Sequence, residues 1–365
     1  MNTRRRQFLL GFALLITIAA CFLFKALTKM ESRQLPPEPT VRLPAVPPEQ
    51  PVYQGKPLSY WVIKAGKIDL NGAPKDAIEA IRAIGSNAVP FLLDWMPHRG
   101  RHFQPNEGEL WDGMKITWWA LGPAGKSAIP TLARILNELP RKMFTEDTVD
   151  DYTEWTYSAE AISHLGPDAI IPMLTVATNM QGQHELWELL HNFQNLGTNG
   201  APAVPALIHW ANDPDYWVRD GVVSALGGIG QRPDLAVPVL LNALEHDSNG
   251  MVRRDAAEAL GAFANDSDAV LPELTKMLKD PDWQARGGAL SGLGKIHDKP
   301  GVVIPLIVPF LSDENSVIER SAAYALRDLN CRTAYNALVE NSNPNIGDIV
   351  YQAGEQEKAR KKHLK

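Results

Sequence analysis

Cysteine is nearly absent from this chain: two residues in 365, Cys21 and Cys331. That excludes a disulfide-built scaffold and any zinc site made of four thiolates. No glycine-rich phosphate cradle, no Gly-x-Ser-x-Gly elbow and no cysteine nucleophile with a partner base is present. Charged residues are 21% and hydrophobic residues 45%, which excludes a disordered chain. Glycine (27) and proline (28) are too few and too scattered for a collagen-like or low-complexity composition. Basic charge is scarce in the body: residues 52–354 carry 24 Lys/Arg against 37 Asp/Glu, a net of −13. Phosphate backbones draw their affinity from cationic side chains, so nucleic acid is excluded as a partner.

What is there begins with an address. Arg4, Arg5 and Arg6 precede Phe8 to Phe24, a run without charge, before Lys25, Ala26 and Leu27. A membrane span needs about 20 apolar residues and a secretory core only about 7–15. The expectation is therefore a cytoplasmic basic N-terminus over 1–7 and a transmembrane signal-anchor over 8–27. Such a chain is a single-pass membrane protein with its N-terminus cytoplasmic and its body periplasmic. Two rivals stand beside it. One is a lipoprotein signal ending at Cys21; the other is a cleaved export signal at Arg5-Arg6-Gln7-Phe8-Leu9. Seven prolines between Pro36 and Pro51 make 28–52 an extended linker. The basic residues Lys358, Arg360, Lys361, Lys362 and Lys365 make 341–365 a solvated tail. Cys331 is a free thiol, expected to be buried.

The body repeats. An aliphatic-proline pair with apolar residues at +2 and +6 recurs at Pro90, Pro130, Pro172, Pro205, Pro238, Pro272 and Pro305, spaced 40, 42, 33, 33, 34 and 33. Thr178 alone breaks the +6 position. The spacing is one helical face, and proline in a first turn costs no hydrogen bond, so each proline is expected to start a helix. Turns rich in Asp, Asn and Pro follow, at Asp213-Pro214-Asp215, Asp247-Ser248-Asn249, Asp280-Pro281-Asp282 and Asp313-Glu314-Asn315. Second helices open after them with Val218-Arg219, Val252-Arg253 and Ala285-Arg286. Their faces are small residues, including Gly287, Gly288 and Gly292. Each such glycine costs about 1 kcal/mol against alanine unless backbones approach closely, as stacked helix pairs require. Earlier second helices fall at 77–85, 115–122, 157–166 and 188–197.

A Pro-x-Leu first helix, a turn aspartate and Val-Arg opening a second helix resemble HEAT repeats, in the short bacterial form described for phycobilisome lyases. The resemblance spans about 75–330 and rests on phase across seven copies. It implies an all-α, right-handed α-solenoid of stacked antiparallel helix pairs (HEAT/armadillo-like), with about seven repeats plus partial terminal units over 75–340. It also implies that the turn aspartate and the second-helix arginine bond between neighbouring repeats: Asp213/Arg219, Asp247/Arg253 and Asp280/Arg286. In the last unit Glu319 holds the arginine position, and Ala77, Met114, Ser158 and Leu189 hold it in the first four. Tyr53-Gln54-Gly55-Lys56-Pro57-Leu58-Ser59-Tyr60-Trp61 is similar to a lead-in of envelope repeat proteins, which makes 53–74 an N-terminal cap.

A helix pair of about 33 residues cannot bury its apolar face alone, and stacking leaves a long curved surface suited to wrapping a partner. Trp111, Trp155, Trp187, Trp217 and Trp283 align to within one position near the starts of the second helices. They are the candidate partner-binding ridge; the alternative is that each packs on the preceding repeat. His184, Glu188 and His191 share one helical face and are a candidate metal triad. Deoxyhypusine hydroxylase, an enzyme of HEAT-like repeats, uses paired His-Glu motifs in several repeats, whereas His184-Glu185 is single here. The reading is therefore a scaffold that is not an enzyme, uses no cofactor and binds an unknown protein partner. The alternatives are a metal-bearing or lyase-type enzyme and a mechanical spacer.

Overall fold

A computed structural model describes residues 49–68, 72–96, 107–138, 149–181, 185–264, 269–341 and 343–363. The chain opens on a small hairpin, β1 (Val52–Tyr53) against β2 (Lys56–Pro57), antiparallel. Gln54 (φ 48) and Gly55 (φ 73) both turn left-handed between the strands, the conformation two-residue hairpin loops require. Helix α1 (Leu58–Ala65) follows. Its Trp61 is buried, stands edge-on to Tyr53 and donates from its indole Nε1 to the Tyr53 carbonyl at 3.2 Å.

Helix pairs come next. Second helices are α2 (Lys75–Ile84), α4 (Glu107–Leu121), α6 (Val149–Ser163), α8 (Leu186–Asn192), α10 (Tyr216–Ile229), α12 (Gly250–Leu260), α14 (Trp283–Gly294) and α16 (Ser316–Asp328). First helices are α3 (Val89–Trp95), α5 (Ile129–Glu138), α7 (Ile170–Asn179), α9 (Val204–Leu207), α11 (Pro233–His246), α13 (Val270–Met277) and α15 (Pro300–Ile307). A last pair, α17 (Arg332–Glu340) and α18 (Gly347–His363), ends the described chain. From α8 to α16 each second helix packs on the one before it and the one after it, and one apolar core runs through the array. The architecture is an all-α solenoid. Helix α1 packs on α2 and α4.

Close approach of backbones explains the small residues. An added Cβ at Gly288 would collide with the Arg254 carbonyl, and one at Gly292 with the Ala257 carbonyl. The prolines behave in two ways. Pro90 and Pro205 sit in the first turns of α3 and α9 as expected. Pro238 and Pro305 lie inside α11 and α15, because Pro233 and Pro300 start those helices instead.

Two differences from the sequence expectation concern the ends. The stretch 341–365, read as a tail, carries α18, which packs on α16 and α17 and whose Ile349 and Ala353 are buried. The single-pass membrane topology and the periplasmic location that depends on it are corrected: no helix among the described residues is long and apolar enough to cross a membrane. The segment 8–27 and Cys21, on which those readings were placed, lie outside the described residues, as does most of the linker 28–52.

Candidate functional site

Four second helices, α10, α12, α14 and α16, begin from turns of one design. In each, the first Asp Oδ1 accepts the N–H two residues on: Asp213 from Asp215 (2.9 Å), Asp247 from Asn249 (2.9 Å), Asp280 from Asp282 (2.8 Å) and Asp313 from Asn315 (2.8 Å). The second Asp or Asn then caps the helix, Asp215 taking the Trp217 N–H and Asn249 the Met251 N–H. An Asx turn followed by an N-cap fixes where each helix starts and which way its first residues face.

The arginines tie these turns into a ladder. Arg219 donates from Nη1 to its own turn at the Asp213 carbonyl (2.8 Å). It also grips Asp247 of the next turn with Nε at 2.7 Å and Nη2 at 2.8 Å. Arg253 repeats this with the Asp247 carbonyl (2.9 Å) but reaches forward to Asp282 (2.9 Å), not Asp280. Arg286 holds the carbonyls of Asp280 (2.9 Å) and Pro281 (3.2 Å); among the described residues it makes no ion pair. Asp247 is deeply enclosed, its side chain 6% exposed. Burial alone would raise its carboxyl; the Arg219 guanidinium and the Asn249 N–H outweigh it and hold the group below its ordinary value.

The ladder then reverses polarity. Glu319, in the arginine position, is buried and accepts from Asn343 Nδ2 (2.6 Å) and Asn345 Nδ2 (3.1 Å). Asn343 occupies the place of the turn aspartate and accepts the Asn345 N–H at 2.9 Å. Sequence reasoning missed this turn. Its signal was Asn343-Pro344-Asn345, the same frame as Asp213-Pro214-Asp215 with amides for carboxylates.

The aromatic row divides. Trp155 is fully buried and donates its indole N–H to the Leu136 carbonyl (3.3 Å), so it is part of the core. The Trp111 side chain lies outside the described residues. Trp187 and Trp217 are half-buried and tilted against each other across the α8–α10 seam, ring centroids 5.4 Å apart. Tyr216 lies on Trp217 at 4.9 Å and His191 stands edge-on to Trp187 at 6.4 Å. Further along, Met251 is half-buried, Trp283 is 42% exposed and Val317 is 49% exposed. Four consecutive second helices, from α10 to α16, thus present apolar surface near their starts, with Trp187 of α8 leading the row.

His184 lies outside the described residues. His191 is kept below its ordinary pKa by burial, only partly offset by Asp255, and its Nε2 takes a hydrogen bond from the Gln194 amide at 2.6 Å. Among the described residues no three His, Cys, Asp or Glu side chains converge as metal ligands.

A family model of HEAT repeats matches residues 193–261, 237–327 and 271–356. The chain therefore carries HEAT repeats from 193 to 356, and it is a helical repeat scaffold. Among curated proteins it is similar to deoxyhypusine hydroxylase of Neosartorya fischeri, 34% identical over 109 residues, covering 29% of this chain and 32% of that one. It is also similar to the phycobilisome maturation protein of Synechococcus elongatus, 34% identical over 105 residues, covering 26% of this chain and 50% of that one. The chain thus spans between a third and a half of these relatives. Kap121p is a similar solved structure: 14% identical, TM-score 0.46, covering 77% of this chain and 35% of that one. An engineered protein is another, 17% identical with a TM-score of 0.35, covering 82% and 83%. One expectation is corrected here. The sequence reading denied the chain any reaction, and that denial does not stand, because the first of these relatives is named for an enzymatic activity.

Proposed function

We propose that this solenoid is an interaction scaffold that binds another protein along the edge where its second helices begin. The observation that carries the reading is the half-buried Trp187–Trp217 pair, followed in register by Met251, Trp283 and Val317. Large amphipathic rings held rigid by their own repeat lose little side-chain entropy when covered, which suits them as anchors. The Asp–Arg ladder Asp213/Arg219, Asp247/Arg253 and Asp280/Arg286 serves this surface indirectly, by fixing the spacing at which one repeat presents its ring to the next. In this reading 53–74 is the cap and the repeats begin at 75.

The test is capture of binding proteins from the native source on the full chain and on the double variant Trp187→Ala plus Trp217→Ala. A protein retained by the wild type and lost from the double variant, with helical content unchanged, supports the surface. Equal retention by both removes it. Hydroxylation, the activity in the name of the fungal relatives, is not assigned to this chain, whose match covers about a third of their length.

A further inference from the structure

The row that leads from Trp187 to Val317 does not stand in neutral surroundings. Its last four members lie where a turn passes into a second helix: Trp217 in 213–219, Met251 in 247–253, Trp283 in 280–286 and Val317 in 313–320. These 29 residues hold eight carboxylates and four guanidiniums, a net of −4. The body as a whole carries −13 over 303 residues, about a third of that density.

The repeat design decides which of these charges are already partnered. Asp247 is held by Arg219, Asp282 by Arg253, and Glu319 by the amides of Asn343 and Asn345. Asp213, Asp280 and Asp313 are not held in that way. Each is half-buried, and its Oδ1 accepts the turn N–H, but among the described residues its carboxylate makes no ion pair. Glu314 is exposed and makes none either. The guanidiniums are committed elsewhere. Arg219, Arg253 and Arg286 each donate to carbonyls of their own turns, and Arg320 donates to Asp348. The edge is thus a strip of apolar side chains, one to a repeat, beside carboxylates that have no cation.

That combination selects an occupant. The apolar row favours a hydrophobic side chain, while the unpaired carboxylates attract a cation and repel an anion. Stacked helices lie about 8–10 Å apart and an extended chain advances about 3.3 Å per residue, so such a chain meets a new repeat at about every third residue. Building on the protein-binding reading above, we propose that the edge from α8 to α16 takes an extended basic and apolar segment of the partner, with one hydrophobic side chain to each repeat and a Lys or Arg beside it. The hydrophobic side chains cover the Trp187–Trp217 pair, Met251, Trp283 and Val317. The cations pair with Asp213, Asp280, Asp313 and Glu314. An acidic segment of equal apolar content is rejected by like charge.

The experiment uses the full chain and three fluorescent synthetic peptides, with binding read by anisotropy. The first peptide repeats Phe-Lys-Ser. The second is its charge reversal, Phe-Glu-Ser. The third has the composition of the first, with every Phe at one end and every Lys at the other. The first should bind, more weakly as salt rises, and the other two should bind at least about tenfold less tightly. A variant combining Asp213→Asn, Asp280→Asn, Asp313→Asn and Glu314→Gln removes four charges, and the asparagine side-chain oxygen still accepts each turn N–H. An exposed ion pair is worth about a twofold change in affinity, so this variant should bind the first peptide about tenfold less tightly. Binding of the second or third peptide equal to the first, an unchanged affinity in the neutralised variant, or no binding of the first peptide overturns the proposal. The double variant Trp187→Ala plus Trp217→Ala separates the two levels. Lost charge discrimination with the tryptophan dependence intact removes the basic partner alone; binding that ignores both tryptophans removes the edge itself.

Discussion

Glu319 and Asn343 are joined at 2.6 Å across the last inter-repeat seam, with the acceptor on the helix and the donor in the turn. Three seams earlier the same two positions are Arg219 and Asp247, with the donor on the helix and the acceptor in the turn. Both arrangements satisfy the seam, and a mixture of them does not. Glu319→Arg places a guanidinium against the amides Asn343 and Asn345, whose N–H groups it cannot accept. The expected cost is about 2–4 kcal/mol, from an unpaired charge in a buried position. Adding Asn343→Asp rebuilds the pairing of the earlier seam and should recover at least half of the loss. Denaturation of the two single variants and the double variant measures the coupling directly.

The ladder is uneven along the array. Removing Arg219 strands Asp247, whose carboxylate is almost fully enclosed, and breaks a bidentate grip. Removing Arg286 gives up hydrogen bonds to two carbonyls and strands no carboxylate. Arg219→Ala should therefore cost about 3 kcal/mol and Arg286→Ala about 1–2 kcal/mol, compared by urea midpoint at neutral pH. Equal losses would mean that the carbonyl bonds, common to both, do the holding.

Much of this was legible beforehand, for a physical reason. Repeat phase depends on the spacing of Pro90 to Pro305 and on turns such as Asp213-Pro214-Asp215, and both are local in sequence. What stayed hidden depends on partners brought together by stacking. Trp155 and Trp283 occupy near-equivalent positions in the sequence, yet one is fully buried and the other 42% exposed, because only the neighbouring repeat decides which is covered. The last helix pair was hidden by composition. Lys358, Arg360 and Lys361 mask the buried Ile349 and Ala353 on the same helix.

The lowered Asp247 carboxyl gives the stability of the array an acid limb. Its folded form holds the proton less tightly than the unfolded chain does, so its contribution is present above about pH 4 and lost as the pH falls through the folded value. Asp247→Asn should flatten the acid limb of the stability profile below about pH 4 relative to the wild type. Thermal denaturation from about pH 2.5 to about pH 7 measures that limb in one series. An unchanged acid limb in the variant would show that other carboxylates dominate it.

Adjacent glycines in α14 offer the sharpest test of helix stacking. An added Cβ at Gly288 would strike the Arg254 backbone, which a rotamer change cannot relieve. At Gly287, one residue earlier, the nearest atoms are Ser321 Oγ at 3.6 Å and Ile318 Cδ1 at 3.7 Å, ordinary contact distances. Glycine to alanine within a helix gains about 1 kcal/mol when nothing obstructs the methyl group, while overpacking costs about 1–3 kcal/mol. Gly287→Ala should therefore raise the denaturation midpoint and Gly288→Ala should lower it. Two variants that differ only in which face of one helix gains a methyl group would move in opposite directions. If both stabilise, the α12–α14 backbones are farther apart than this packing requires, and the small-residue faces have some other cause.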